Sequence, residues 1–236
     1  MKISISPNKV LGGLMTITLV FGVAHVGVSY LKHYTDMYLT NPAVLTLFDM
    51  DAEVSIPTWY AQSLLLIVAV ICLVIGVVKR QSVQKYYKHW LALGIIFIYV
   101  SMDEGSQIHE LLIPPLQATF NTSGTFLHFA WVIAGASLMA VLGVIYLRFW
   151  LNLPSRTRVL FLASAAIFVS GALGIEMMAG YYLSNYGSNI GYSILVLIEE
   201  SMELLGSSLF IYTLLNYLRY LKPDILLQFK NTPTSK

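Results

Sequence analysis

Apolar residues run through this chain in long blocks separated by short polar punctuation, and the blocks cover 10–31, 58–78, 89–113, 125–150, 157–183 and 190–218. Each reaches or exceeds the roughly 20 residues that a helix needs to cross a hydrocarbon core of about 30 Å. Pro57 with Trp59 and Tyr60 opens the second block, and Pro114-Pro115 is expected to stop the third. Asn152-Leu153-Pro154-Ser155 parts the fourth from the fifth, and Asn185, Gly187 and Gly191 part the fifth from the sixth. The pattern predicts an all-α bundle of six transmembrane helices, a single domain over 1–236 with a flexible tail at 222–236. Lys2 and Lys9 ahead of the first block resemble the start of a signal peptide, but His25, Tyr30 and Lys32 follow where small residues would mark cleavage, so a retained first helix is expected.

Composition makes lipid the expected solvent. Of 236 residues, 57% are hydrophobic and 11% charged, against roughly 25% charged in a soluble domain. A formal charge of +2 with no basic stripe argues against nucleic acid as a partner. The single cysteine, Cys72, lies within an apolar run and excludes a disulfide framework or a thiolate metal site.

Basic residues give the expected orientation, because Lys and Arg collect in cytoplasmic loops. Threading six helices puts 13 of the 14 basic residues on one face and leaves Lys32 on the other. Both termini are therefore expected in the cytoplasm, with the plasma (inner) membrane as the location.

Acids change the picture from topology to chemistry. Beyond Asp224 and the loop acids Asp36, Asp49, Asp51 and Glu53, every carboxylate falls in or against an apolar block: Asp103, Glu104, Glu110, Glu176, Glu199, Glu200 and Glu203. With His25, His109 and His128 they all thread into the outer half of the bilayer. Three unpaired charges in the sixth helix would cost on the order of 8 kcal/mol on insertion scales. At about 100° per residue, Glu199, Glu200 and Glu203 share one face. On the third helix Asp103, Gln107 and Glu110 form a stripe that Glu104 and His109 flank, and spacing does not choose between Asp103 and Glu104 as the residue facing the cluster.

No lysine or arginine accompanies these groups within the blocks, so shared protons or a bound metal must offset them. Carboxylates with imidazoles from facing helices are the donor set of di-iron, di-manganese and zinc sites. His109-Glu110 begins like H-E-x-x-H, but Ile113 stands where the second histidine is needed. The expectation is a metal-dependent hydrolase or oxidoreductase, with zinc or iron/manganese, acting on membrane lipid or another hydrophobic substrate. Its metal ligands would come from Asp103, Glu104, His109, Glu110, His128, Glu176, Glu200 and Glu203, with Glu104 and Glu199 as the catalytic carboxylates. The alternatives are a cation or proton transporter or channel using the same acids, and an accessory subunit of a membrane complex.

Overall fold

A computed structural model describes residues 6–35 and 42–221, and among them all regular structure is helical. Six long helices dominate: α1 (Pro7–Tyr34), α2 (Ile56–Gln81), α3 (Tyr87–Ser106), α4 (Trp131–Leu151), α5 (Ser155–Tyr186) and α6 (Ile190–Leu221). Local chemistry sets several ends. At α2 the Ser55 Oγ accepts from the Thr58 N–H at 3.2 Å, and Pro57 occupies the first turn, where its missing N–H has no intrahelical partner to lose. Pro7 begins α1 in the same way.

Four of these helices, α1, α2, α4 and α5, are long and apolar enough to cross a membrane. A fifth candidate arises if α3 and the bent segment after it count together. These helices fit an integral membrane protein, and their many exposed apolar side chains, Leu19, Val23, Leu138 and Val144 among them, suit contact with acyl chains. α6 has 32 residues and would extend about 48 Å at 1.5 Å per residue, but its glutamates and serines keep it outside the apolar set.

α6 is the central post. It packs against α1, α2 and α5, while α2 packs most extensively on α3. Its buried residues Leu204, Phe210, Ile211, Leu214 and Tyr217 join Leu64, Val68 and Cys72 of α2 in one core. α3 meets α6 through ring contacts: Trp90 stacks on Tyr217 at 5.1 Å, and Phe97 lies 5.5 Å from Phe210. Between these two contacts the position advances by seven on α3 and falls by seven on α6. The pair is therefore antiparallel, joined by rungs every two turns.

Two predicted boundaries move. The third block does not run as one helix to residue 113: α3 ends at Ser106, and Gln107 adopts a left-handed backbone (φ 49°). A 3₁₀ turn (His109–Leu112) and a short helix (Ile113–Phe120) follow, bent by 75° from α3. Pro114 and Pro115 thus sit in the first turn of that short helix, where proline is tolerated, and do not act as the stop. The Asp103–Gln107–Glu110 stripe is broken by the same turn. α4 begins at Trp131, because residues 125–130 form turns held by bonds such as Thr125 Oγ1 to Thr122 O at 2.7 Å. The predicted tail at 222–236 lies outside the described residues.

Candidate functional site

Continuing the α3–α6 ladder outward by seven residues replaces the aromatic rung with a pair of acids. Glu104 follows Phe97 on the same face of α3, and Glu203 precedes Phe210 on the same face of α6. Both are half-buried, and the Glu104 charge acts on Glu203 and on Glu200 one turn farther along. This geometry decides the question that spacing left open, since Glu104 is the residue turned to the cluster. Asp103 is turned to its own chain: its Oδ1 accepts from the His109 N–H at 2.9 Å and its Oδ2 lies 2.9 Å from His109 Nδ1. Together those bonds pin the broken end of α3.

α5 approaches from the other side. Between Ser170 and Ile175 its hydrogen bonding widens to a π turn, a form that inserts a residue and often marks functional positions. Gly171 lies in that turn, where a methyl group would sit 2.9 Å from the Glu199 carbonyl oxygen and 3.3 Å from Glu203 Cγ. Only glycine lets the backbones close here. Immediately after the π turn, the Glu176 Oε1 accepts from the Trp131 indole N–H at 3.1 Å. Glu176 also stands beside Glu199, which is 8% exposed. The His109 ring packs 4.5 Å from Trp131, so Asp103, His109, Trp131, Glu176 and Glu199 form a connected path from α3 to α6.

The segment before α2 closes the outer end. Glu53 hydrogen-bonds Gln107, and its charge reaches Glu104 and Glu200. Burial against the bundle pushes the Glu53 carboxyl above its ordinary range, outweighing the Gln107 bond, with the Glu110 charge adding to the rise. The same segment docks on α1 and α6 through a second polar cluster. Lys32 Nζ lies 3.3 Å from Asp49 Oδ2 and 3.7 Å from Asp51 Oδ2, and the Tyr192 hydroxyl donates to Asp51 Oδ1 at 2.9 Å. His25, 1% exposed, places Nε2 3.1 Å from the Ser193 carbonyl oxygen and Nδ1 3.1 Å from both the Met50 N–H and Asp49 Oδ1. Because a carbonyl only accepts, Nε2 is the donor there. Burial alone would raise the Asp49 carboxyl, but the His25 bond and the Lys32 cation hold it below the usual carboxylate range.

Of the residues expected at the site, Glu104, Glu176, Glu199, Glu200 and Glu203 come together, with Asp103 and His109 joined to them through Trp131. Glu110 is exposed on the 3₁₀ turn. His128 precedes α4 and braces its loop: the Gln117 side chain donates to the His128 carbonyl at 2.6 Å, and the Gly124 N–H donates to His128 Nδ1 at 3.4 Å. Among the described residues, no three His, Cys, Asp or Glu side chains stand at the mutual spacing that would close on a metal ion. Sequence reasoning passed over Glu53 as an ordinary loop acid. Its one signal was proximity to the Ser55–Pro57 start of α2, which returns the chain to the bundle beside α3.

Residues 13–218 match the model of a family described as "Domain of unknown function (DUF8692)". No curated protein and no solved structure matches the chain.

Proposed function

The chain belongs to this family, whose description assigns no activity, and we propose from its own side chains that it is a membrane-embedded metalloprotein acting on a lipid or other hydrophobic substrate. The reading includes six spans with both termini in the cytoplasm and the plasma (inner) membrane as location. α6 serves as the sixth span: its central packing shields its glutamates from lipid, and 13 of 14 basic residues fall at one end of such a bundle.

One observation carries the proposal. Glu53, Glu104, Glu176, Glu199, Glu200 and Glu203 converge from four segments of the chain, and no lysine or arginine pairs with any of them among the described residues. A divalent cation offsets such a concentration of charge where no protein cation does. In this reading Glu104, Glu200 and Glu203 hold the metal once their side chains turn toward one another, joined by His109 when its side chain swings from Asp103. The imidazole favours zinc, iron or manganese over calcium. Glu199, beside Glu176, is the general base for a metal-activated water when ionised, or a flanking acid at an oxidising di-metal centre.

Metal analysis of protein purified without chelators tests this. Stoichiometric metal is expected in the wild type and less than a tenth of it in the Glu200→Ala/Glu203→Ala double variant. A metal-free wild type ends the metalloprotein reading. The closeness of Glu176 to Glu199 favours a second reading, a proton or cation carrier, because two adjoining carboxyl groups are suited to pass a proton between them. Uptake of metal or protons into proteoliposomes, abolished by Glu199→Gln, would select it.

A further inference from the structure

At the opposite end of the α3–α6 ladder, next to the Trp90–Tyr217 rung, lies a cavity of about 260 Å³. Lys79, Lys85, Tyr86, Trp90, Asn152 and Tyr217 line it. Lys79 is half-buried, and its ammonium donates to Gln84 Oε1 at 2.9 Å and to the Tyr217 hydroxyl at 3.3 Å. Both acceptors are neutral, and Lys79 has no ion-pair partner among the described residues. The Trp90 indole N–H is wholly buried and has no hydrogen-bond partner, with the Tyr217 ring stacked beside it. The Asn152 amide donates to the Tyr86 hydroxyl at 3.3 Å across the mouth.

The turn beside the cavity has strained backbone at two positions. Val83 (φ 53°) and Tyr86 (φ 65°) both adopt left-handed backbone in the turn that carries Lys85. A β-branched residue rarely takes that conformation, so the rest of the turn is holding a defined shape.

We infer that this cavity binds a phosphate-bearing anion. The lining offers two ammonium groups and the Gln84 and Asn152 amides, with an indole and two phenols beside them, and it contains no carboxylate. Among the described residues the partly buried Lys79 has no negative partner. Basic pockets between helices at the membrane surface take phospholipid headgroups, and lysine holds phosphate as a point charge. The anion comes either from an acidic phospholipid of the adjoining leaflet or from a soluble phosphate, and the chemistry of recognition is the same. This site is separate from the glutamate cluster and does not depend on the metal reading.

Full-length protein in detergent, examined by native mass spectrometry and thermal unfolding, tests the inference with phosphatidylglycerol, phosphatidylcholine and inorganic phosphate as probes. Phosphatidylglycerol is expected to remain bound at one copy and to raise the melting temperature, with phosphatidylcholine tenfold weaker. Stabilisation by inorganic phosphate alone assigns the site to a soluble anion instead. Lys79→Gln should weaken either ligand by about tenfold. The exposed Lys85→Gln, which perturbs no core packing, should weaken it by a few-fold and guards against misfolding of the first variant. Equal retention of both lipids, no binding of any probe, or wild-type affinity in both lysine variants would overturn the inference.

Discussion

The two ends of the α3–α6 ladder share one register and differ completely in chemistry. At one end the rungs are aromatic: Trp90 on Tyr217 and Phe97 on Phe210, with Trp90 at 0% exposure. At the other, the next rung is Glu104 opposite Glu203, joined by Glu200, Glu199 and Glu176. The first kind of contact is satisfied by the protein alone, because burying large rings is favourable wherever they fit. The second is not, because like charges in a half-buried layer repel and lose hydration. Stability therefore resides at the aromatic end, and a demand for something external resides at the acidic end.

That contrast is open to test. The largest effect should come from Trp90→Ala, which empties a filled site and should cost about 3–5 kcal/mol, read as a lowered denaturation midpoint. Gly171→Ala should cost about 1–3 kcal/mol by forcing α5 off α6. It should also lower any metal occupancy, because the added methyl separates Glu176 from Glu199. Glu203→Leu should do the reverse in metal-free protein: stability unchanged or raised by up to about 2 kcal/mol, with function lost. A large loss of stability in that variant would mean that the acids are structural, and the contrast would fail.

The smallest effect lies in the segment before α2, where Asp49 and Glu53 titrate in opposite senses. Asp49 has a depressed carboxyl, so its contribution is complete above the unfolded value of about 3.9 and disappears as pH falls through the lower folded value. Glu53 has a raised carboxyl, so its contribution is present below about 4.3 and disappears as pH rises through the folded value. Amide exchange of residues 48–54 against pH should show both slopes. Asp49→Asn should remove the loss on the acid side and leave the other.

The helical architecture was legible because apolar length is written directly in composition: α1, α2 and α5 differ from the expected blocks by a few residues at each end. The break at Gln107 was not, because a left-handed backbone at a non-glycine residue leaves no mark in hydropathy. The acids were recognisable one by one, since ionised groups in apolar runs demand a reason. Which of Asp103 and Glu104 faced inward was hidden, because a spacing of seven gives the face of a helix and not the neighbour it meets. His25 looked like a bystander in the first helix. Its fully buried contact with Asp49 depends on a segment folding back over 24 residues of sequence, which no local pattern records.

The π turn of α5 has a consequence for how such a helix can change. One inserted residue rotates everything after it by about 100°, so the two halves of α5 are out of phase, and Glu176 owes its heading to the insertion at Ser170–Ile175. Deleting a single residue from that stretch would restore an ordinary helix and leave the composition and apolar length of α5 almost untouched. It would also swing Glu176 away from Glu199 and from the Trp131 indole. A variant lacking that one position would keep every glutamate and still lose the Glu176–Trp131 bond.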